Sequence, residues 1–190
     1  MNGGINHVGL STRDMDGTIK FYTEVLDFEI VRYDRITVTE GGSMRHLFLD
    51  SGNRQLVSFL GPEGVEALSE WETGINQGLG VPRGFYHFAF GCDSEEVLVE
   101  RQQNLLKHGI SVSEVINHDW CKSIYFDDPV NKLSLEYCAY ARAFNDDDRT
   151  LSTRFESPLA LFDYDRDSWM KSEKARFKVL EERARENSGN

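Results

Sequence analysis

The sequence predicts an α+β fold built from two tandem βαβββ modules, and three observations carry that prediction. The order strand, helix, strand, strand, strand occurs twice along the chain. Ile5-Asn6-His7-Val8-Gly9-Leu10 aligns with Phe85-Tyr86-His87-Phe88-Ala89-Phe90, so that histidine falls on histidine at an offset of 80 residues. At the other end of each unit, 53–59 aligns with 131–137 at an offset of 78, which sets Ser58 opposite Glu136. Self-similarity of this kind marks a repeated supersecondary unit.

The first module covers residues 1–60. Residues 5–11 read as a strand with His7 and Gly9 on one face and Val8 and Leu10 on the other. Asp14 or Asp16 can cap a helix running to about Leu26, whose Ile19, Tyr22, Val25 and Leu26 fall at helical spacing. Gly17 weakens that helix. Strands follow over 28–33, 35–39, 44–49 and 55–60, the second read either separately or as an extension of the first. Asp50-Ser51-Gly52-Asn53 is a turn signal between the last two. A Gly- and Pro-containing connector spans 61–84, with a short helix expected around 63–71.

The second module covers 85–140. A strand over 85–91 precedes Asp93 and Glu96, which read as a capping box. The helix they open carries Val97, Leu98, Leu105 and Leu106 as its apolar stripe and stops at Gly109. Strands over 111–115, 122–126 and 133–140 complete the unit, the last two joined by a turn at 127–131 that sets their register. Residues 141–190 form an acidic loop around 145–149, a short apolar patch at 158–164 and a charged C-terminal helix over 168–186. Trp169, Phe177, Val179 and Leu180 are that helix's apolar stripe. This helical tail is expected to lie over the domain or a partner subunit.

With 190 residues the chain makes one domain or two small repeats sharing a core. Its 21 basic and 32 acidic residues leave a net charge of −11, which argues against nucleic acid and against anionic lipid as partners. Cys92, Cys121 and Cys138 are too irregularly spaced for a disulfide framework or a zinc knuckle and fit a reducing compartment. No signal peptide or membrane-spanning run is visible, so a cytoplasmic location is expected.

Glu136 stands mid-strand among apolar residues, where a carboxylate without a partner is costly. If the modules pair around a pseudo-twofold axis, their strands form one curved mixed or antiparallel sheet. His7, Ser58, His87 and Glu136 then converge on its concave face. Two imidazoles and one carboxylate can hold a metal and leave half an octahedron open, an arrangement suited to non-haem iron(II) and dioxygen. The competing reading has both histidines bonded to backbone carbonyls and Glu136 facing solvent from an edge strand.

At these residues the sequence resembles the vicinal-oxygen-chelate superfamily, which includes glyoxalases, fosfomycin- and bleomycin-resistance proteins and extradiol ring-cleavage dioxygenases. The resemblance covers about residues 4–140. It is carried by Asn6-His7-Val8-Gly9-Leu10, by Phe21-Tyr22-Thr23-Glu24-Val25-Leu26-Asp27-Phe28, and by the segment from Asn117 through His118 and Tyr125 to Pro129 that leads to Glu136. Glyoxalase-type isomerases carry a fourth protein ligand where this chain has Ser58, and drug-sequestering members lack the metal set. The set His7, His87 and Glu136 therefore looks most like single-domain extradiol dioxygenases. The resemblance implies Fe(II), with Mn, Zn, Ni and Co as alternatives, and makes Tyr125 the residue that hydrogen-bonds a substrate hydroxyl. Many two-domain dioxygenases have a catalytic histidine just before the strand that here begins at Gln55. This chain has Arg54-Gln55 instead, so His118 becomes the candidate acid/base. A homodimer is also expected from the family.

Iron(II) with one carboxylate carries about +1, which a catechol monoanion would neutralise in a low-dielectric pocket. The metal lowers the hydroxyl's pKa and orients the substrate, and a nearby base takes the second proton. Phe85, Trp120 and Tyr140 are candidates to line an apolar pocket for the aryl group. The leading expectation is thus an iron(II) extradiol dioxygenase acting on a small aromatic diol and dioxygen. The alternatives are a metal-dependent isomerase, lyase or thiol transferase of the same fold, or a nonenzymatic drug-binding protein.

Overall fold

The structure, a computed structural model, describes residues 4–39, 41–65, 68 and 71–151. The apolar patch at 158–164 and the helix expected over 168–186 lie outside the described residues. The first module comprises β1 (His7–Ser11), α1 (Met15–Lys20), β2 (Glu29–Thr37), β3 (Ser43–Asp50) and β4 (Leu56–Glu63). After the connector helix α2 (Ile75–Leu79) come β5 (His87–Cys92), α3 (Glu95–Lys107), β6 (Ile116–Asn117), β7 (Cys121–Asp127) and β8 (Ser134–Tyr140). No helix among the described residues is long and apolar enough to cross a membrane.

Each module forms its own four-stranded sheet, in the orders β1-β4-β3-β2 and β5-β8-β7-β6. The first strand of each runs parallel to the last, with His7 beside Leu56 and His87 beside Ser134. The other pairings are antiparallel. The α+β class and the βαβββ repeat are therefore as expected. Among the described residues, however, strands pair only within their own module, and the single shared sheet does not form in one chain. The modules join through their helical sides instead. Phe28 meets Phe90 edge-on at 5.0 Å between ring centroids. Asn104 of α3 donates to the Val25 carbonyl at 2.7 Å, and Arg101 and the Tyr137 hydroxyl donate to the Leu26 carbonyl. The carbonyls that end the first helix, which have no partner within it, are thus satisfied by the second module.

Local chemistry explains most boundaries. Asp14 accepts from the Gly17 amide and caps α1, which passes into a π-helical turn over Phe21–Val25. A Cβ on Gly17 would strike the Asp14 carboxylate, so the glycine that lowers helix propensity makes room for the cap. The cap of α3 is Ser94 rather than Asp93, its hydroxyl accepting from the Val97 amide. Strand β2 is continuous and absorbs 35–37. The strand expected over 111–115 shrinks to a single bridge at Val112, followed by the short β6. In the connector, β4 extends to Glu63 and the helix is α2. Residues 66, 67, 69 and 70, where the earlier helix was expected, lie outside the described residues.

The turn between β7 and β8 does more than set register. The Asp128 carboxylate accepts from the Val130 and Asn131 amides, the Asn131 side chain and the buried Tyr22 hydroxyl. Asn131 also donates to Thr18, which donates to the Asp14 carbonyl and so must accept from Thr12. Thr12, Thr18, Asp128 and Asn131 are all buried. This directed network ties the second module's hairpin to the first module's helix.

Candidate metal centre

In β8, Leu135, Tyr137 and Ala139 turn into the core, and Glu136 and Cys138 alternate onto the opposite face. β8 lies between β5 and β7, which sets Glu136 beside Ala89 on one side and Tyr125 on the other. Glu136 is only 6% exposed. His87, two positions before Ala89 on β5, reaches across so that its Nε2 lies 3.1 Å from the Glu136 carboxylate. The edge-strand, solvent-facing reading of Glu136 is thereby excluded.

The second nitrogen of each paired histidine is fixed. His87 Nδ1 lies 2.9 Å from the Gly84 carbonyl, which can only accept, so Nδ1 carries the proton. His7 Nδ1 lies 2.9 Å from Asn6 Oδ1, which imposes the same tautomer. Both rings thus present Nε2, the pattern in which a backbone or side-chain oxygen orients a metal-binding imidazole. The carbonyl bond assigned to the non-metal reading is present at His87, but it engages Nδ1 and leaves Nε2 facing the Glu136 carboxylate.

Electrostatics agree with an anionic, ligand-ready carboxylate. Burial raises the Glu136 pKa, but hydrogen bonds from His87 and Ser123 and the His87 charge outweigh it, so the net shift is downward. The Glu136 hydrogen bond raises the His87 pKa, against the opposing effect of burial. An imidazole and a carboxylate that hold one proton between them can exchange it for a divalent cation.

Tyr125 and His118 complete the face. The Tyr125 hydroxyl lies 2.9 Å from His118 Nε2, and its ring meets His87 edge-on at 6.3 Å. Burial, followed by the Glu136 charge, pushes the Tyr125 phenol well above its ordinary pKa. Four of the predicted residues, His87, Glu136, Tyr125 and His118, are therefore brought together. Phe85 is exposed just before β5. Trp120 and Tyr140 pack at 5.6 Å at the far end of the same face. Tyr140 lies four positions beyond Glu136, about 13 Å along an extended strand.

His7 stands apart. It lies on the first sheet against Phe48, 5.7 Å away edge-on. Among the described residues of one chain, no group of three or more His, Cys, Asp or Glu side chains is arranged to hold a metal ion. Ser58, at the position corresponding to Glu136, is buried and donates to the Val8 carbonyl at 3.4 Å.

Several contributors escape a search for charged residues. Ser123 shares the Tyr125 face by strand alternation and supports the Glu136 carboxylate. Gly84 and Asn6 matter through single oxygens. Cys121 is buried on that face beside Ser123, and burial pushes its thiol up to about 12, so it is not a nucleophile here.

Comparison with known proteins agrees with this architecture. Residues 4–137 match the model of the Glyoxalase/Bleomycin resistance protein/Dioxygenase superfamily. A search of curated proteins gave no match. Among solved structures, SMU.1112c is 25% identical, with a TM-score of 0.54, covering 73% of this chain and 99% of its own. A glyoxylase/bleomycin resistance protein/dioxygenase domain from Frankia sp. EAN1pec is 24% identical over 74% of this chain and 99% of its own, with a TM-score of 0.52. The fosfomycin resistance protein FosX of Listeria monocytogenes, solved with Mn(II) and sulfate, is 20% identical over 73% of this chain and 93% of its own, with a TM-score of 0.50. The last two show a shared fold. From the family match and the doubled βαβββ architecture together, the chain belongs to the glyoxalase/bleomycin resistance protein/dioxygenase superfamily.

Proposed function

We propose that this protein is a divalent-metal-dependent enzyme acting by proton transfer on a small substrate held through two neighbouring oxygens, as an isomerase, lyase or transferase. The observation that supports this reading is the meeting of the His87–Glu136 pair with the hydrogen-bonded Tyr125–His118 pair on one sheet face. The donor set of imidazole nitrogens and one carboxylate suits a divalent first-row cation such as manganese, iron, zinc, nickel or cobalt. Mn(II) is the metal named in the FosX structure.

His87 and Glu136 would hold the metal from one chain, and His7 of a second copy would complete the set. A homodimer is favoured because His7 sits on the other sheet of its own chain. The first sheet's outer strand also leaves Ile30, Val31, Tyr33 and Ile36 each more than 40% exposed. Such a surface calls for a cover. When bound, the metal would polarise the chelated substrate oxygens and lower the pKa of an adjacent proton. The residues do the rest. Tyr125 stays protonated at neutral pH and donates to a substrate oxygen, and His118 exchanges the proton at the Tyr125 hydroxyl with solvent. Phe85 would flank the reacting end, and Trp120 and Tyr140 would touch only the far end of a longer substrate.

One observation favours the dioxygenase reading as a second possibility. Ser58 is engaged with a backbone carbonyl and offers no fourth anionic ligand, which leaves room for an aromatic diol and dioxygen at iron(II). Metal-free protein reconstituted anaerobically with each cation separates the two. Turnover of a glutathione hemithioacetal or of fosfomycin without oxygen uptake is expected. Catechol-dependent oxygen uptake with Fe(II) would replace the first reading with the second, and failure to bind any divalent cation would remove both.

A further inference from the structure

Beyond the site, the described chain exposes an aromatic cluster with no evident role in proton transfer. Trp120, Tyr140 and Phe144 have ring centroids 5.6, 4.9 and 6.2 Å apart. Tyr140 is 72% and Phe144 59% exposed. The cluster is nonetheless rigidly mounted. The Ala141 and Arg142 amides both donate to the Trp120 carbonyl. The Arg142 guanidinium grips the Asp148 carboxylate through both nitrogens, at 2.7 and 2.8 Å, and also bonds Asp119. Asn145 caps the following 3-10 turn, Asp146–Arg149, with a reciprocal capping box. A preorganised, exposed set of rings loses little entropy on covering, the signature of a docking platform.

We propose that the stretch 168–180 of the same chain docks on this platform. The chain leaves the described region at Leu151, seven residues after Phe144, and 39 residues follow it. At up to about 3.3–3.6 Å per residue, the seventeen positions from 151 to 168 reach the rings from any direction. Charge favours the same match. Residues 1–151 carry 13 basic and 24 acidic side chains, so the whole net charge of −11 resides there, whereas 152–190 carry eight of each. Around the rings stand Asp119, Asp146, Asp147 and Asp148 against Arg142 and Arg149. Within 168–180, Lys171, Lys174, Arg176 and Lys178 face a single Glu173 and accompany Trp169, Met170, Phe177, Val179 and Leu180. That combination supplies apolar side chains for the rings and positive charge for the acidic 1–151 region. The docking itself does not depend on the metal reading.

The test places a photo-crosslinking p-benzoylphenylalanine at Phe144 in the full chain and mixes light and heavy isotope-labelled protein. Crosslinks from light to light chain into 168–180 are expected. Mixed light–heavy crosslinks would assign the platform to a second copy and overturn the proposal, as would crosslinks confined to 1–151 or none at all. A second readout does not rely on the modified residue. Trp169→Ala with Phe177→Ala should speed amide exchange over 140–145 by about tenfold or more, and unchanged exchange would equally overturn it.

Discussion

The two modules share a scaffold and differ in what they put on it. In each, a histidine on the first strand meets an aromatic ring on the third edge-on, His7 with Phe48 and His87 with Tyr125. That ring residue pairs across the sheet with the same position of the last strand, Ser58 in one module and Glu136 in the other. Both histidines turn Nε2 outward through an oxygen on Nδ1. At these paired positions the difference is two exchanges. Phe48 and Ser58 leave these positions uncharged, and the Ser58 hydroxyl is turned to the Val8 carbonyl. Tyr125 and Glu136 give the second module an anion and an exchangeable proton. The repeat therefore supplies the geometry, and the second module supplies the charge and the hydrogen-bonded Tyr125–His118 pair proposed as acid and base.

Removing the charge should have the largest effect. Glu136→Ala should weaken Mn(II) binding by more than the roughly 10–100-fold typical of an outer-shell change. Ser58→Ala, at the corresponding position, should leave calorimetric affinity where it was. Equal losses from both would erase the asymmetry. Removing the proton relay comes next. Tyr125→Phe should lower kcat by about 10²–10⁴ while metal affinity holds, and Phe48→Tyr should change neither. A Tyr125→Phe protein with full turnover would reassign the acid/base role.

The joint between the modules should respond in stability alone. Tyr22→Phe deletes the hydroxyl that donates to the buried Asp128 at 3.2 Å. Urea denaturation should show a loss of about 1–3 kcal/mol with an unchanged slope.

The smallest effect is the pH dependence of the His87–Glu136 pair, which the Ser58 position, having no ionisable group, cannot match. The raised His87 pKa contributes stability that is complete below 6.5 and fades as pH rises through its folded value. The lowered Glu136 pKa contributes stability that is complete above 4.5 and fades as pH falls through its folded value. In metal-free protein the pair should therefore help most between pH 4.5 and 6.5. The difference between wild type and Glu136→Gln in thermal midpoint should peak there. His87 is more than one-third exposed, which keeps the effect small.

The strands and the repeat were legible because alternation and turn chemistry are local. Leu135, Glu136 and Tyr137 announce a two-faced strand, and the His7/His87 and Ser58/Glu136 correspondences follow from offsets alone. What stayed hidden depends on tertiary contact. No periodicity says that Asp128 will accept from Tyr22, 106 positions away, or that Asn104 will cap the first helix. Nor does the sequence say that the modules join through helices, which is why the shared sheet was expected inside one chain. Ser123 could have been found by extending the Tyr125 alternation two residues back. Gly84 could not, because it acts through a backbone oxygen that any residue possesses.

If His7 of one copy completes the His87–Glu136 site of another, as proposed, mixing two defective subunits will restore binding. His7→Ala and Glu136→Ala proteins, each alone, should bind little Mn(II). Unfolded together and refolded as a mixture, they form hybrid dimers in which one of two sites has all three ligands, so about one quarter of wild-type binding should return. A mixture that stays empty, or His7→Ala protein that binds as wild type does, would contradict the claim.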